Sequence, residues 1–474
     1  MKIFKRIVYA ITMLSIILLG YYFTKLNVLP KKYYIPLIII LVVWSLILTF
    51  INIKAKKKLI QILTIIVMIL SIILNSVGIY YVYNTNKLFK SLTEVTETKQ
   101  YYVLVKKESK YEKLKDLKNK EIGLFDSETN NYDLAIKKLD SSVKIKHINY
   151  DNMSDLVDAL INDKTDSILI NSNVKDILDE NIDGFDSKTK VIEKIDVTIK
   201  KEKKEKEESQ NESFNILISG IDTEGDISKV SRSDVNIIVS VNKKTHEVVL
   251  TSVPRDMQVQ LHGTTGMKDK LTHAGIYGID MSRQTLEDFL EIKIDYYVRV
   301  NFTSVVNIVD AIGGIDVDND IAFTRAGRYY AQGRIHMNGK DTLGYCRERY
   351  KMPSGDWNRG LHQEEVIKAI IKKVSTSTEL LTNYSEIISS LGYLVQTNIP
   401  EDLVKEYIKE QIDTMPNWEV YNYAVGGSGS DYQELYSAPG MKLYVTLPNE
   451  EHRQHASKVI NSVNAGMKYN DIQW

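Results

Sequence analysis

The chain has 474 residues, too many for one hydrophobic core, so two or three folded units are expected. Lys+Arg and Asp+Glu each total 61, and this balance argues against a general nucleic-acid binder, which needs a basic excess. The single cysteine, Cys346, excludes an intrachain disulfide and reads, within "LGYCRER", as a small buried strand residue.

The chain opens with a membrane domain, residues 1–88, holding three largely apolar runs at about 7–23, 33–53 and 59–83. Roughly 20 apolar residues cross the hydrocarbon core as a helix, and Pro36 interrupts the second run only mildly. Tyr21, Tyr22, Tyr33, Tyr34, Tyr80, Tyr81 and Tyr83 lie at the run ends, where interfacial aromatics belong. No small-residue cleavage site follows the first run, so it does not read as a signal peptide. Lys2, Lys5 and Arg6 precede the first run, and Lys54, Lys56, Lys57 and Lys58 separate the second from the third. The positive-inside rule places both groups in the cytoplasm. The expected protein is multi-pass in the cell membrane, with a cytoplasmic N-terminus and everything after Tyr83 extracytoplasmic.

Residues 98–199 alternate strand and helix patterns. "YYVLVKK", "EIGLF", "VKIKHINY" and "DSILIN" read as strands, and "NYDLAIKKLD" and "MSDLVDALIND" as amphipathic helices. A small α/β accessory domain with a parallel component follows. It carries no cluster of catalytic residues. Residues 200–213, "KKEKKEKEESQNES", lack apolar side chains and read as a solvated linker. Residues 214–465 form the largest domain, with strands and helices mixed. Its last part, "WEVYNYAVGGSGSDYQELYSAPGMKLYVTLP", reads as strands around a Gly/Ser-rich loop, closed by the helix "EEHRQHASKVINSVNAG".

Arginine usage sets the large domain apart. Of twelve arginines, ten fall between Arg232 and Arg359, while residues 98–213 use lysine alone. A guanidinium fork binds phosphate or carboxylate through two parallel hydrogen bonds that an ammonium cannot copy. Either a multi-arginine anion site or a set of structural salt bridges would explain the cluster. "TLGYCRER" reads as a strand, placing Arg347 and Arg349 on one face, where like charges repel unless an anion lies between them. Asp356 reads as an N-cap to the helix "WNRGLHQEEVIKAIIKKV", with Arg359 in the first turn and Gln363 on the same face. A cation there is disfavoured by the helix dipole, whereas an anion is welcome. This spacing favours the anion site, with Glu348, Glu364 and Glu365 available as structural partners.

The acidic half lies in "FNILISGIDTEGDISKVSRSDVNIIVSVNKKTHEVVLTSVPRD". "FNILISG" reads as a strand ending near Asp222, and "VNIIVSV" and "EVVLTSV" as a hairpin around "NKKT". Folding about Lys243–Lys244 opposes residues whose numbers sum to 487, bringing Asp234 against Val253 and near Arg255. Asp234 and Asp222 could hold Mg2+ with substrate phosphate, or Asp234 could simply pair with Arg255 or Arg232. Asp269 and His273 in "KDKLTHAG" are loop candidates for polar contacts, with turn chemistry the simpler role. The eight histidines show no zinc-ligand spacing.

"SRSDVNIIVSV", "TSVPRD", "KLTHAGIYG", "DYYVRVNF", "VDAIGGIDVD", "MNGKDTLGYCRER" and "GDWNRGLHQEEVIKAII", taken together in this order, resemble the LytR-CpsA-Psr family. The three spans and the accessory domain resemble its capsule-type branch. The resemblance implies an α/β, mixed-sheet catalytic domain. It implies a phosphotransferase that moves a glycopolymer, capsular polysaccharide in that branch, from an undecaprenyl-pyrophosphate carrier onto peptidoglycan in a Gram-positive envelope, alongside capsule-assembly proteins. It places metal binding, Mg2+ or Mn2+, on Asp222 and Asp234. It places pyrophosphate binding on Arg255, Arg347, Arg349, Arg359 and Gln363, and catalysis on Asp234, Arg255 and Arg347. It also implies an apolar tunnel for the polyprenyl tail, with "VRVNFTSVVNIVDAI" supplying either tunnel lining or ordinary core. A polyprenyl-pyrophosphate hydrolase would need the same phosphate site. A membrane sensor is the non-enzymatic alternative, although the short cytoplasmic segments leave no room for a DNA-binding motif.

Overall fold

The computed structural model describes residues 2–93, 95–125, 131–201, 212–221, 223, 225–376 and 394–473. They divide into two compact units.

The first unit contains α1 (Lys2–Leu26), α2 (Lys31–Lys54), α3 (Lys58–Thr93) and the amphipathic helix Glu401–Thr414. All three N-terminal helices are long and apolar enough to cross a membrane. α2 continues through Pro36. α3 has 36 residues, about 54 Å at 1.5 Å per residue, longer than a hydrocarbon core of about 30 Å. Val8, Ile16, Leu48 and Met68 pack between the helices. Asn75 donates to Ser15 Oγ (2.9 Å) and Trp44 to Ser71 Oγ (3.1 Å), polar links of the kind that join helices in lipid. Ile39, Ile40, Leu46, Leu70 and Leu74 face outward.

The second unit holds both remaining parts of the chain. Its accessory half runs β1 (Thr96–Lys106), β2 (Glu121–Leu124), α4 (Tyr132–Ser142), β3 (Lys146–Asn149), α5 (Met153–Ile161), β4 (Ser167–Asn171), α6 (Ser172–Asn181), α7 (Phe185–Lys188) and β5 (Thr189–Lys200). The sheet order is β3-β2-β4-β1-β5, with β3, β2 and β4 parallel and β1 antiparallel to both its neighbours. The charged stretch expected as a linker lies mostly outside the described residues.

The larger half begins with β6 (Ser213–Ile221), β7 (Ser233–Asn242), β8 (Glu247–Ser252), β9 (Gln258–Val259), β10 (Asp269–Lys270), α8 (Leu271–Ala274) and α9 (Ile279–Leu290). It continues with β11 (Tyr296–Asn301), α10 (Phe302–Ala311), β12 (Ile315–Asn319), β13 (Phe323–Arg325), β14 (Arg328–Tyr330), β15 (Gly333–Met337), α11 (Gly339–Cys346) and α12 (Asp356–Thr376). β16 (Val395–Thr397), β17 (Glu419–Ala424), β18 (Gly427–Leu435), β19 (Ala438–Pro448) and the helix Glu450–Asn464 complete it. The main sheet, β16-β11-β6-β7-β8-β17, is mixed. Its alternation sorts residues between two faces. Leu217 and Ile238 join α9 and the C-terminal helix on one face. Ile216, Ile218, Ile237 and Val239 meet α12 on the other.

Three local expectations are corrected. "TLGYCRER" is not a strand: Gly339–Cys346 is helical, and Arg347 and Arg349 lie in the turns after it. Asn338 caps that helix by accepting the Asp341 N–H (2.9 Å), and Gly339 lacks the Cβ that would collide with the Val306 carbonyl of α10. Cys346 is therefore a helix residue, half-buried. The Gly/Ser run is not a loop but β18, with a bulge between Gly427 and Gly429. The β7–β8 hairpin pairs Ile237 with Ser252 and Asn242 with Glu247, a register two residues from the expected one, because the loop is Lys243–His246, with His246 at φ +55°. A shift of two keeps every side chain on its face.

Candidate active site

Asp234, near the start of β7, and Arg255, just beyond β8, meet at the open end of the hairpin. Arg255 Nη1 donates to Asp234 Oδ2 at 2.5 Å, and the Thr272 hydroxyl donates to Oδ1 at 2.9 Å. The Asp234 side chain is 15% exposed. Burial opposes its ionisation, but the charges of Arg255, Arg232 and Arg359 and the Thr272 hydroxyl outweigh burial and hold the carboxyl below its ordinary value. One turn into α12, Arg359 pairs with Asp356 at 2.5 Å, and Asp356 also accepts the Arg255 backbone N–H at 3.3 Å. Asp356, expected as an N-cap, is the first residue of the helix. Burial pushes its carboxyl above the ordinary value despite Arg359. Arg232 reaches Glu180 of α6 at 2.9 Å. Asp234, Arg255, Asp356, Arg359 and Gln363 line one small polar pocket, together with Ser252 and Trp357.

A second space adjoins it. A cavity of about 430 Å³ lies between the main sheet and α10, α11 and α12. Ile216, Ile218, Val298 and Val300 face it from the strands, Phe302 and Ile308 from α10, and Ile367, Ile370 and Ile371 from α12. Residues of "VRVNFTSVVNIVDAI" thus line the space, while Arg299, between Val298 and Val300, points into the opposite layer and donates to the Lys229 carbonyl at 2.6 Å. Asp234 and Gln363 border both spaces. Arg347 is at the cavity lining too, exposed, its guanidinium 4.2 Å from the centre of the Phe302 ring. Among the described residues it has no carboxylate partner. Cys346 faces the same cavity, and burial pushes its thiol up to about 12.

Asp234, Arg255, Arg359 and Gln363 are brought together, with Arg347 beside them. Arg349 lines neither space and donates to the Tyr350 hydroxyl (2.8 Å), although its charge still acts on Asp356. Asp222 lies outside the described residues. Glu348 is taken by Arg325 and two backbone N–H groups, Glu364 by the Ser252 N–H, and Glu365 by Lys368 and Asn422. None of these glutamates ties up Arg255, Arg347 or Arg359. Asp269 and His273 make polar contacts rather than a turn, and they lie outside the pocket lining. They form a buried pair (2.7 Å) that also holds Ser437, fastening α8 to the β18–β19 connection. Sequence reasoning missed Thr272, Phe302 and the dual contact of Asp356, all of which lie inside quoted motifs next to residues it had singled out. Among the described residues no three His, Cys, Asp or Glu side chains cluster as metal ligands. Mg2+ is usually held by one or two carboxylates plus substrate phosphate, and an ionised Asp234 bordering both spaces suits that mode.

A small polar pocket lined by two arginines and two aspartates thus adjoins a partly open apolar cavity. The model of the LytR_cpsA_psr family matches residues 183–437, and the chain belongs to this family. It is 35% identical over 241 residues to a Bacillus cereus protein named polyisoprenyl-teichoic acid–peptidoglycan teichoic acid transferase TagU, covering 50% of this chain and 78% of that protein. An Enterococcus faecalis protein of the same name is 35% identical over 222 residues, 46% of this chain and 72% of the relative. Among solved structures, Bacillus subtilis TagV superposes with a TM-score of 0.45 at 28% identity, covering 55% of this chain and 99% of that one.

Proposed function

We propose that the chain is a membrane-anchored phosphotransferase that moves a glycopolymer from a polyprenyl-pyrophosphate carrier onto a peptidoglycan hydroxyl. The observation that carries this reading is Arg347, a guanidinium without a carboxylate partner among the described residues, at the lining of an apolar cavity that shares Asp234 and Gln363 with the polar pocket. The polyprenyl chain occupies the cavity. The pyrophosphate lies against Arg255, Arg347, Arg359 and Gln363, whose charge and hydrogen bonds meet the negative charge that builds on the leaving phosphate. The acceptor hydroxyl attacks the glycan-bearing phosphorus. The bond to polyprenyl phosphate breaks, a phosphodiester forms, and Asp234 or Asp356 accepts the hydroxyl proton. Asp234, with Asp222, would hold Mg2+, which neutralises phosphate charge when bound.

The relatives' names favour teichoic acid as the polymer, whereas the three spans and accessory half favour the capsule-type branch, and capsular polysaccharide is the polymer assigned here. Full-length protein given each polyprenyl-linked polymer and peptidoglycan strands should form a phosphodiester conjugate, faster with the capsular donor. Phosphate release with no conjugate would make the chain a hydrolase. The large domain is assigned to the extracytoplasmic side. Protease added to intact cells should cleave it, and protection until lysis would reverse the topology.

A further inference from the structure

The β18–β19 hairpin has two unlike faces. Leu435, Leu443 and Val445 point inward and pack with Ile177 of α6, so the accessory half braces the hairpin from behind. The outward face carries three cross-strand pairs in a row: Ser430 with Thr446, Tyr432 with Tyr444, and Glu434 with Lys442. Tyr432 is 66% and Tyr444 40% exposed, and their rings meet edge to face at 6.1 Å. Three pairs span roughly 14 Å along the strands.

The hairpin adjoins the segment that carries Arg255. The Thr446 N–H donates to the carbonyl of Asp256 at 2.8 Å, and Asp256 directly follows Arg255. Lys270 bridges the same gap, 3.4 Å from Asp256 Oδ1 and 6.0 Å from the centre of the Tyr444 ring. The pattern narrows the partner. A lipid surface needs continuous apolar area, but here the aromatic pair is bounded by hydroxyls on one side and by opposite charges on the other. A polyanion needs excess cation, but Glu434 balances Lys442. Pyranose rings offer flat C–H faces to aromatic side chains and hydroxyls along their edges, so a sugar polymer matches both parts of the face.

We propose that the outward face of β18–β19 is the docking surface for the acceptor, a strand of pyranose sugars that leads one hydroxyl toward Arg255 and Asp234. This rests on the reading of the chain as a glycopolymer transferase. It also gives the accessory half a task, which is to fix the hairpin against the catalytic loop.

The test uses full-length protein carrying Tyr432→Ala and Tyr444→Ala together, with glycan strands freed from their stem peptides as the probe. Binding of the strands should weaken about tenfold or more, the loss of roughly one stacking contact, and the acceptor KM should rise by the same factor. Affinity for the polyprenyl-linked donor and the unfolding midpoint should stay at wild-type values. The paired Tyr→Phe variant should bind like wild type. Unchanged strand binding and acceptor KM in the alanine variant would overturn the docking surface while leaving the transferase reading intact, as would loss of binding in the phenylalanine variant. Absence of any transfer by the wild-type protein would instead remove the reading on which the surface rests.

Discussion

In the polar pocket Arg255 and Arg359 each face a carboxylate, whereas at the neighbouring cavity Arg347 faces an aromatic ring. The first arrangement is charge-balanced within itself. Asp234 and Asp356 neutralise their arginines, and Thr272 donates to the second oxygen of Asp234, so the pairs contribute to folding before any ligand arrives, while Arg255 Nε keeps an unused donor. The second differs, because Arg347 rests on Phe302 and has no carboxylate partner among the described residues. A guanidinium kept in place by a ring rather than a carboxylate retains its capacity for an anion.

The contrast predicts different mutational signatures. Arg255→Ala should abolish transfer and also destabilise the fold on the order of 3 kcal/mol, since it leaves a largely buried carboxylate unpaired. Thermal unfolding in detergent checks the second part, and a near-wild-type midpoint would erase the distinction between the two regions. Arg347→Lys should slow transfer about 100-fold, because one ammonium cannot replace a bidentate fork, yet shift stability by no more than about 0.5 kcal/mol. Full glycan attachment by this variant would sink the fork argument.

Glu364→Gln sharpens the comparison from behind the polar pocket. Glu364 is fully buried beneath Ser252, and burial raises its carboxyl well above the ordinary range. Below that range the side chain is protonated in folded and unfolded chains alike. As pH rises, the unfolded chain gives up its proton while the folded chain keeps it, and stability falls until the folded value is passed. The glutamine variant should remove this slope and be more stable than wild type only above about pH 5. Equal pH profiles for the two proteins would show that the carboxyl is not held neutral. Phe302→Ala should have the smallest effect, a two- to fivefold rise in donor KM from roughly 0.5–1 kcal/mol of lost cation–π contact. No change in donor KM would mean that the ring does not position Arg347.

Much of the second unit was legible because alternation and helical spacing are local properties. β1 to β4 of the accessory half, β6 to β8, α12 and the C-terminal helix fall where the patterns put them, whereas β5 was not read from its pattern. The "TLGYCRER" segment failed because its short apolar pattern fits either period. A cap from Asn338 and the close approach of Gly339 to α10 decided for helix. The clustering of ten arginines admitted a structural and a functional reading, and four of them realise the structural one. Arg283, Arg325, Arg328 and Arg334 pair with Glu287, Glu348, Asp341 and Asp316, away from the pocket.

Local pattern was enough to read three apolar spans, a lysine-only α/β half, an arginine-bearing larger half and the meeting of Asp234 with Arg255, because a register error of two residues preserves the face of every side chain. Which arginines are spoken for is settled by tertiary packing. That choice depends on carboxylates distant in the chain, Glu180 for Arg232 and Glu348 for Arg325, and on the Phe302 ring lying under Arg347. Side-chain pairing across elements follows from how helices pack on the sheet, which local periodicity does not encode.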